Sequence, residues 1–215
     1  MTSSARRPEL RVAVFARAPV PGEVKTRLAP LLGADGAARL HCALVRRALA
    51  TARDANVGEV ELWCMPDERH PFFGRCAERF GVSLHRQQGA DLGERMVHAF
   101  ERATAAHSAL LLIGSDCPAL TPADLQSAAT ALESHDAVFT PAEDGGYVLA
   151  GFARAVEPSV FRGVTWGSAT VMAQTRRLLD STGTRWAAMP TLWDVDRPED
   201  YARLQGAGLA GELVT

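Results

Sequence analysis

The sequence has no strong excess of charge, no long hydrophobic run and no paired cysteines. Its 23 basic and 25 acidic residues give a formal net charge of -2, so no overall field attracts nucleic acid or an anionic membrane. The apolar run near the N-terminus is interrupted by Arg17 and is too short for the core of a signal peptide or for a membrane span. We therefore expect a cytoplasmic protein with no nucleic-acid partner and no membrane insertion.

Several familiar signatures are also missing. Nothing matches the P-loop spacing, the G-x-G-x-x-G dinucleotide spacing or the G-x-S-x-G context of a hydrolase. The six histidines have no metal-ligand spacing, and we expect most of them at the surface. The cysteines show no C-x-x-C pair, which is typical of reduced, buried thiols rather than of a disulfide framework or a zinc site. They are Cys42, Cys64, Cys76 and Cys117.

What the sequence does contain is a regular alternation of strand-like and helix-like runs. Predicted strands cover residues 10–15, 58–64, 82–85, 109–113, 137–140, 147–152 and 185–189, and predicted helices cover residues 34–55, 71–80, 91–103, 125–133, 168–179 and 198–205. This alternation predicts a three-layer α/β/α fold with a mostly parallel sheet. The two strands around "EDGGY" are too close for a helical crossover, so the sheet should be mixed near its end. Without repeats or linkers, residues 1–215 are predicted to form one domain with a core over about residues 10–205.

The segment "FARAPVPGEVKTRL", residues 15–28, joins the first strand to the first helix. Gly22 and the prolines bend its path, and exposed backbone amides together with Lys25 and Arg27 can surround phosphate oxygens. Such a loop lies beyond the carboxyl end of a strand, where open α/β sheets bind their ligands. The alternative is a solvated surface loop with two ordinary cations.

A carboxylate follows the most apolar predicted strand, in "LLLIGSDCPAL". Two small residues separate Asp116 from that strand, so its side chain should stand at the edge of the sheet, in the crevice. Mg²⁺ and Mn²⁺ prefer one or two carboxylates together with phosphate oxygens, which makes Asp116 a candidate metal ligand. The alternative is that Asp116 caps a nearby turn by accepting from its own following amides.

Two further aspartates precede the last predicted helix, in "WDVDRPEDY". Asp196 has Glu199 three residues on, and this capping-box spacing explains Asp196 without a metal. We expect only one of Asp194 and Asp196 to meet Asp116 across the crevice.

The segment "EDGGYVLAG" places two acidic residues on a turn between strands. Gly145 and Gly146 allow a tight turn or a close backbone approach. Glu143 or Asp144 can face a ligand there and take a proton from an incoming nucleophile as a general base. The alternative is a plain hairpin turn.

Six ordered segments together resemble one known family. The segments "PVPGEVKTRL", "QQGADLGERM", "GSDCPALT", "EDGGYVLAG", "VTWGSATV" and "DVDRPEDY" are similar to motifs of the bacterial arsenosugar-biosynthesis-type glycosyltransferases. These are also called radical-SAM/selenodomain-associated transferases, and they have the GT-A nucleotide-diphospho-sugar transferase fold. The resemblance covers roughly residues 10–205. The same fold includes molybdenum-cofactor and phospholactate nucleotidyltransferases and CMP-Kdo synthetase.

The resemblance implies a role for the charged residues. Lys25 and Arg27 would hold the donor phosphates, and Lys25 would also take part in catalysis. Asp116 would bind Mg²⁺ or Mn²⁺ together with Asp196, with Asp194 as the alternative. Here Arg-Pro replaces the Thr-Pro of CMP-Kdo synthetase, and Ser115-Asp116 replaces the Asp-x-Asp of many glycosyltransferases. These departures leave the number of metal ions open.

The same segments supply further candidates at the two substrates. Residues expected at the nucleotide, besides Lys25 and Arg27, are Ala16, Arg17, Gly22, Gly93, Arg95 and Ser115. Residues expected on the acceptor side are Gly145, Gly146, Tyr147 and Trp166, with Asp144 and then Glu143 as the catalytic base.

Three functions remain open at this point. The resemblance favours metal-dependent sugar transfer from a nucleotide-diphospho-sugar donor to a small-molecule acceptor. The second is nucleotidyl transfer from an NTP to a phosphorylated small molecule, which releases pyrophosphate. The third is a nucleotide-binding module without catalysis. A leaving nucleoside diphosphate and a leaving pyrophosphate need the same electrostatic stabilisation, and a monomer and a homodimer are equally compatible with the sequence.

Overall fold

The helices and strands follow the predicted alternation. The computed structural model describes residues 9–106, 108–153 and 157–209. The strands are β1 (Glu9–Arg17), β2 (Glu59–Met65), β3 (Ser83–Arg86), β4 (Ser108–Gly114), β5 (Ala137–Pro141), β6 (Tyr147–Phe152) and β7 (Trp186–Ala188). The helices are α1 (Ala29–Ala55), α2 (Pro71–Phe80), α3 (Leu92–Ala105), α4 (Pro122–Ala131), α5 (Val171–Ser181) and α6 (Pro198–Gly206). No helix of these residues is both long enough and apolar enough to cross a membrane.

The continuous apolar runs become the strands at the centre of the sheet. In a parallel sheet covered on both faces, successive side chains point to opposite sides and all of them are buried. β4 shows this pattern, with no side chain between Ala109 and Ile113 more than 6% exposed. β1 is similar, because Val12, Ala13 and Val14 are all fully buried.

The first helix begins earlier than its periodic face predicts. α1 starts at Ala29 rather than at residue 34, because Pro30 is well suited to a first helical turn. Gly33 has a non-helical backbone with φ 70° and kinks the helix. The regular apolar face follows the kink and contains the buried residues Leu40, Leu44, Ala48 and Ala52.

The described strands form a seven-stranded sheet in the order β3-β2-β1-β4-β6-β5-β7. β6 runs antiparallel to both of its neighbours, β4 and β5, whereas the remaining neighbours pair in parallel. The predicted mixed end of the sheet is therefore confirmed. The chain moves outward from β1 to β3 and then returns to the other side of β1 with β4. The strand order reverses between β1 and β4, and such a point opens a ligand-binding crevice beyond the carboxyl ends.

Helices cover both faces of the sheet and create two apolar layers. One layer packs α1, α2 and α4 against the sheet and includes Phe72, Phe73 and Leu125. The other layer packs α3, α5 and the 3₁₀ turn Pro158–Phe161 against the opposite face and includes Phe100 and Phe139. A smaller cluster joins α6 to the start of α1 through Leu28, Leu44, Val195 and Leu204. This cluster brings the last segment of the chain over the loop that follows β1.

Candidate active site

Lys25 and Asp116 meet at the point where the strand order reverses. Lys25 follows β1, Asp116 follows β4, and the ammonium Nζ of Lys25 lies 2.8 Å from Oδ1 of Asp116. Nζ also donates to the backbone oxygen of Val195 at 2.6 Å. The Lys25 side chain is only 3% exposed, whereas that of Asp116 is 47% exposed. The ammonium therefore lies behind the carboxylate rather than at the surface of the loop.

The backbone of the opening loop is bent to make this contact. Lys25 has a left-handed conformation, φ 49° and ψ 38°, which a residue with a Cβ rarely adopts. Gly22 also has a positive φ, of 83°, a conformation that glycine adopts at no steric cost. Residues in sparsely populated conformations cluster at functional sites, where the surrounding contacts hold them.

The Asp116 carboxyl stays ionised despite its position in the crevice. Desolvation alone would raise its pKa, but the Lys25 ammonium and His41 outweigh that effect and lower the pKa below its ordinary value. The Ser115 hydroxyl also donates to Oδ1, at 3.3 Å. The backbone oxygen of Asp116 accepts from Val195 N at 2.8 Å, which fixes the last segment against the end of β4.

Asp196 pairs with Arg27 rather than with Asp116. A guanidinium nitrogen of Arg27 contacts Oδ2 of Asp196, and both side chains are well exposed. The alternative that Asp196 caps the last helix does not hold, because Arg197 is the residue directly before α6. There Oδ2 of Asp200 accepts from the backbone N of Asp196 at 3.0 Å and from that of Arg197 at 2.7 Å. The side chain of Asp196 is therefore not used as a helix cap.

Asp194 is the aspartate that lies in the field of other carboxylates. Burial, followed by the negative charges of Asp144 and Asp116, raises its pKa to about 6. Like charges that share a crevice disfavour one another's ionised forms. Within the described part of the chain, no three histidine, cysteine or acidic side chains already form a metal-binding cluster. Asp194 therefore lies in the electrostatic environment of Asp116.

The two acidic residues of the "EDGGY" turn have different surroundings. Glu143 forms an ion pair with Arg203 of α6, with N–O distances of 2.8 and 3.3 Å. Asp144 instead accepts from the backbone N of Gly146 at 2.8 Å and acts on Asp194 across the crevice. Gly145 has φ 89°, and a Cβ there would lie 2.0 Å from the backbone oxygen of Ala169. The turn is thus a close-approach turn that presents Asp144.

A second group of cations lies at the end of β1, next to the crevice. Arg17 is exposed, and the half-buried guanidinium of Arg95 lies 3.0 Å from the sulfur of Met65. Burial, followed by the charge of Arg17, lowers the pKa of Arg95. Ala16 is buried, and its backbone oxygen accepts from the side-chain amide of Gln87 at 3.3 Å. Two like charges at one edge of the sheet favour an anionic ligand there.

Three of the residues predicted at the substrates, Gly93, Trp166 and Tyr147, have roles in packing. A Cβ on Gly93 would lie 2.8 Å from the Trp166 indole, so Gly93 is required for close packing of that ring. The Tyr147 hydroxyl lies 3.7 Å from the sulfur of Met96, and its ring packs on Phe139. Tyr147 therefore contributes to the apolar layer under α3 rather than to the open crevice. Burial raises the pKa of its phenol.

His41 is a site residue that sequence reasoning missed. The expectation of surface histidines is wrong here, because His41 is 4% exposed. Its Nε2 lies 3.0 Å from the backbone oxygen of Arg17, and its field acts on Asp116. Burial lowers the pKa of the imidazole, so His41 carries the charge that acts on Asp116 only at acidic pH. The available signal was a histidine within the apolar face of α1, between Ala37 and Leu44.

Comparison with known proteins shows the fold class and the sequence family of this chain. The chain has the single-domain α/β fold of nucleotide-diphospho-sugar transferase-like proteins, with a mostly parallel mixed sheet. It belongs to the family described as an uncharacterized protein conserved in bacteria (DUF2064), which it matches over residues 48–168. A search of curated proteins gives no match.

Solved structures with the same fold extend this comparison. A protein from Desulfovibrio desulfuricans G20, provisionally named a nucleotide-diphospho-sugar transferase, is 33% identical with a TM-score of 0.81, over 88% of this chain and 83% of that one. A nucleotidyl transferase from Methanothermobacter thermautotroptrophicus is 17% identical with a TM-score of 0.64, over 94% and 99%. Glucosyl-3-phosphoglycerate synthase from Mycobacterium tuberculosis, solved with Mn²⁺, UDP and glucosyl-3-phosphoglycerate, is 10% identical with a TM-score of 0.54, over 96% and 79%.

Proposed function

We propose that the chain transfers a sugar from a nucleotide-diphospho-sugar donor to a small-molecule acceptor. The observation that carries this proposal is the meeting of Lys25 and Asp116 between β1 and β4. This pair places an ammonium beside a carboxylate at the point where open α/β sheets bind ligands. A diphosphate bridged by a divalent cation needs that mixture of charges. The name given to the Desulfovibrio protein supports the choice of donor.

The residues of the crevice fit a divalent cation. The carboxylates of Asp144 and Asp116 repel that of Asp194, and a bound cation would relieve this repulsion. Asp116 and Asp194 would hold Mg²⁺ or Mn²⁺ with phosphate and water oxygens. Asp196, which the resemblance implies as a ligand, would first have to leave Arg27. When bound, the cation neutralises the charge that develops on the leaving diphosphate.

Exposed arginines are better placed than Lys25 to meet the donor phosphates. The side chain of Arg27 is 60% exposed, compared with 3% for Lys25. Arg17 and Arg95 add positive charge at the end of β1, and guanidinium groups bind phosphate with two parallel hydrogen bonds. In this proposal, Lys25 positions Asp116 from behind, and the arginines bind the diphosphate.

Asp144 is the proposed base for the acceptor. The acceptor hydroxyl oxygen bonds to the anomeric carbon of the sugar, and the bond from that carbon to the diphosphate oxygen breaks. Its electron pair leaves with the nucleoside diphosphate, and the hydroxyl proton passes to the Asp144 carboxylate. Glu143 is less suitable, because its carboxylate is paired with Arg203.

Replacement of the base should affect turnover rather than binding. We expect Asp144→Asn to lower the turnover number by about 10²–10⁴-fold, because a general base contributes that much to the rate. Donor affinity, measured by calorimetry, should stay within about twofold. The Glu143→Gln variant is the matched control and should retain its turnover. Full turnover in Asp144→Asn would exclude Asp144 as the base.

Nucleotidyl transfer is the second candidate function. The cations of the crevice suit a triphosphate as well as a diphosphate, and the Methanothermobacter protein of the same fold is named a nucleotidyl transferase. An NTP would then react with a phosphorylated acceptor and release pyrophosphate, and no base would be required.

Phosphorus NMR of the reaction products separates these functions. The protein is incubated with Mn²⁺ and either nucleotide sugars or NTPs, together with mixed small-molecule acceptors. Sugar transfer releases a nucleoside diphosphate, nucleotidyl transfer releases pyrophosphate, and a binding module releases neither. Arg27→Ala should lose the product signal, and Arg69→Ala, an exposed arginine outside the crevice, should retain it. A nucleoside diphosphate that forms equally in both variants would contradict the proposed site.

A further inference from the structure

The Arg27 guanidinium, which the proposed function assigns to the donor phosphates, already contacts a carboxylate. Nη1 of Arg27 donates to Oδ2 of Asp196, and the two side chains are 60% and 40% exposed. A carboxylate and a phosphate both offer anionic oxygens that a guanidinium binds by charge-assisted hydrogen bonds. Asp196 and a donor phosphate would therefore compete for Arg27.

The backbones that carry this ion pair are held in place, so the side chains can separate without them. Leu28, directly after Arg27, is fully buried in the cluster that joins α6 to the start of α1. Val195, directly before Asp196, is fully buried in the same cluster, and the Asp196 N donates to the Asp200 carboxylate at 3.0 Å. Exposed side chains change rotamer within picoseconds to nanoseconds. The pair can thus open without movement of a loop or a helix.

Lys25 keeps Asp196 within reach of Arg27. Lys25 lies two residues before Arg27, and its Nζ donates to the backbone oxygen of Val195, the residue before Asp196, at 2.6 Å. The Lys25 side chain is buried, so water has little access to this contact. A carboxylate tethered in this way competes at a high effective concentration. Asp196 can therefore return to Arg27 whenever the guanidinium is released.

The ion pair is weak enough to be exchanged for a phosphate contact. Arg27 donates to Asp196 through one nitrogen, whereas one guanidinium can give a phosphate two parallel hydrogen bonds. Exposed ion pairs change an equilibrium constant by about two- to fivefold. A donor that displaces Asp196 would lose about that factor in affinity.

We propose that Asp196 is an internal competitor for the donor phosphates. It occupies Arg27 until the diphosphate arrives and pairs with Arg27 again when the nucleoside diphosphate leaves. The inference rests on the proposed function, because it adds a regulatory contact to the same site. A cation ligand at Asp196 would strengthen nucleotide binding, whereas a competitor weakens it. The sign of the change in affinity on removal of this carboxylate therefore decides between the two roles.

Calorimetric titration with nucleotides measures that sign. The probes are UDP, ADP, CDP and GDP, each in the presence of Mn²⁺. We expect Asp196→Asn and Asp196→Ala to bind the best of these nucleotides about two- to fivefold more tightly than the unmodified protein, because both variants lack the competing charge. Unchanged or weaker binding in both variants would overturn the proposal.

A double-variant cycle shows whether the effect passes through Arg27. In the Arg27→Gln background, Asp196→Asn should change the affinity for the same nucleotide by less than about twofold, because the guanidinium that Asp196 competes for is gone. A gain of equal size in both backgrounds would mean that Asp196 repels the nucleotide directly. That result would contradict competition for Arg27.

The ion pair of Asp136 with Arg185 provides a matched control. Its side chains are 39% and 70% exposed, close to the values for Asp196 and Arg27. Asp136 directly precedes β5, and β5 and β4 both run antiparallel to β6. Asp136 therefore lies at the amino ends of the strands, opposite the crevice. Asp136→Asn should leave nucleotide affinity unchanged, and a gain equal to that of Asp196→Asn would reduce the effect to net charge and overturn the proposal.

Product analysis separates failure of this proposal from failure of the proposed function. A nucleotide that binds the unmodified protein with no gain in the Asp196 variants would contradict the competition alone. A gain in affinity, with no nucleoside diphosphate released from nucleotide sugars in phosphorus NMR, would contradict sugar transfer alone. If none of the four nucleotides bound the unmodified protein or either variant, both proposals would be overturned.

Discussion

The protonated form of the Asp194 carboxyl favours the folded protein, whereas the proposed cation site needs the ionised form. Burial, then Asp144 and Asp116, raise the pKa of this carboxyl from 3.8 to about 6 in the folded protein. Between these two values the folded state binds a proton that the unfolded state has released. The free energy of unfolding therefore falls as the pH rises through this window, and the penalty is fully present above about pH 6.

Removal of that charge should stabilise the ligand-free protein. We expect Asp194→Asn to raise the free energy of unfolding near pH 7 by about 1 kcal/mol, after allowance for solvent screening. This corresponds to a Tm increase of about 2–4 °C, and the gain should vanish near pH 4. Thermal unfolding across this pH range measures it, with Asp54→Asn on the exposed side of α1 as the control. A variant less stable than the unmodified protein at neutral pH would contradict this reading.

Lys25 combines a strained backbone with a buried charge, and the two effects can be separated. Lys25→Ala and Lys25→Gly remove the same ammonium, but only glycine adopts the left-handed conformation without strain. We expect both variants to weaken nucleotide binding in the presence of Mn²⁺ by about tenfold or more, because they remove the charge-assisted hydrogen bond, worth about 1.5–3 kcal/mol, that positions the proposed cation ligand Asp116.

Stability should distinguish the two replacements. Lys25→Gly should be more stable than Lys25→Ala by about 1 kcal/mol, as measured by chemical denaturation. Equal stability would show that the left-handed conformation at this residue carries no strain. Unchanged nucleotide affinity in both variants would remove Lys25 from the site.

The sequence predicted where a candidate site residue lies when that position follows from a strand end. Asp116 after β4 and the "EDGGY" turn before β6 could be found in this way, since parallel strands end at the same edge. The partners of these residues could not be found from local patterns. The contact of Lys25 with Val195, the ion pair of Arg27 with Asp196 and the buried His41 depend on how the last segment and α1 pack.

The turn between β5 and β6 depends on a glycine for two separate reasons. Gly145 has a positive φ and also lies against the backbone of Ala169, whereas Gly167 has a positive φ of 76° with open space around it. Gly145→Ala should therefore cost about 2 kcal/mol or more of stability, and Gly167→Ala about 1 kcal/mol from conformational strain alone.

Denaturation curves of the two alanine variants measure this difference. Gly145→Ala should also lower turnover, because a displaced turn would move Asp144. Equal destabilisation in the two variants would show that the turn can move away from Ala169 at no cost.

The bounds of helices and strands with strong periodic patterns were predicted closely. Helix starts depended instead on prolines, glycines and capping side chains. α2 and β6 match residues 71–80 and 147–152 as predicted. The start of α1 was wrong because the periodic face gives no information about the kinked first turn at Gly33. The alternative of a cap at Asp196 does not hold, because Glu199 and Asp200 both fit a capping pattern and Asp200 is the residue that accepts the amides.

At the scale of the whole molecule, metal and nucleotide binding should reinforce each other. In the proposed site, Asp116 and Asp194 would be too few ligands for an octahedral cation, so phosphate and water would have to supply the remaining ones. Coupling of this kind is reciprocal, typically about 1–3 kcal/mol. We expect Mn²⁺ and UDP together to raise the Tm by more than the sum of their separate effects.

The variants Asp116→Asn and Asp54→Asn provide the comparison for this coupling. Asp116→Asn should make the UDP-induced shift independent of Mn²⁺, and Asp54→Asn should leave the coupling intact. A shift with both ligands that equals the sum of the two separate shifts would remove the divalent cation from the site.

The contact between Lys25 and Val195 joins residues 170 positions apart in the chain, and this separation has a consequence for synthesis. A ribosome adds Val195 170 residues after Lys25, the residue of the loop after β1 that it contacts. A nascent chain that still lacks Val195 has no assembled crevice, so the proposed nucleotide ligand could not stabilise it during elongation. Once the protein is complete, local detachment of this last segment would abolish binding without unfolding the central sheet.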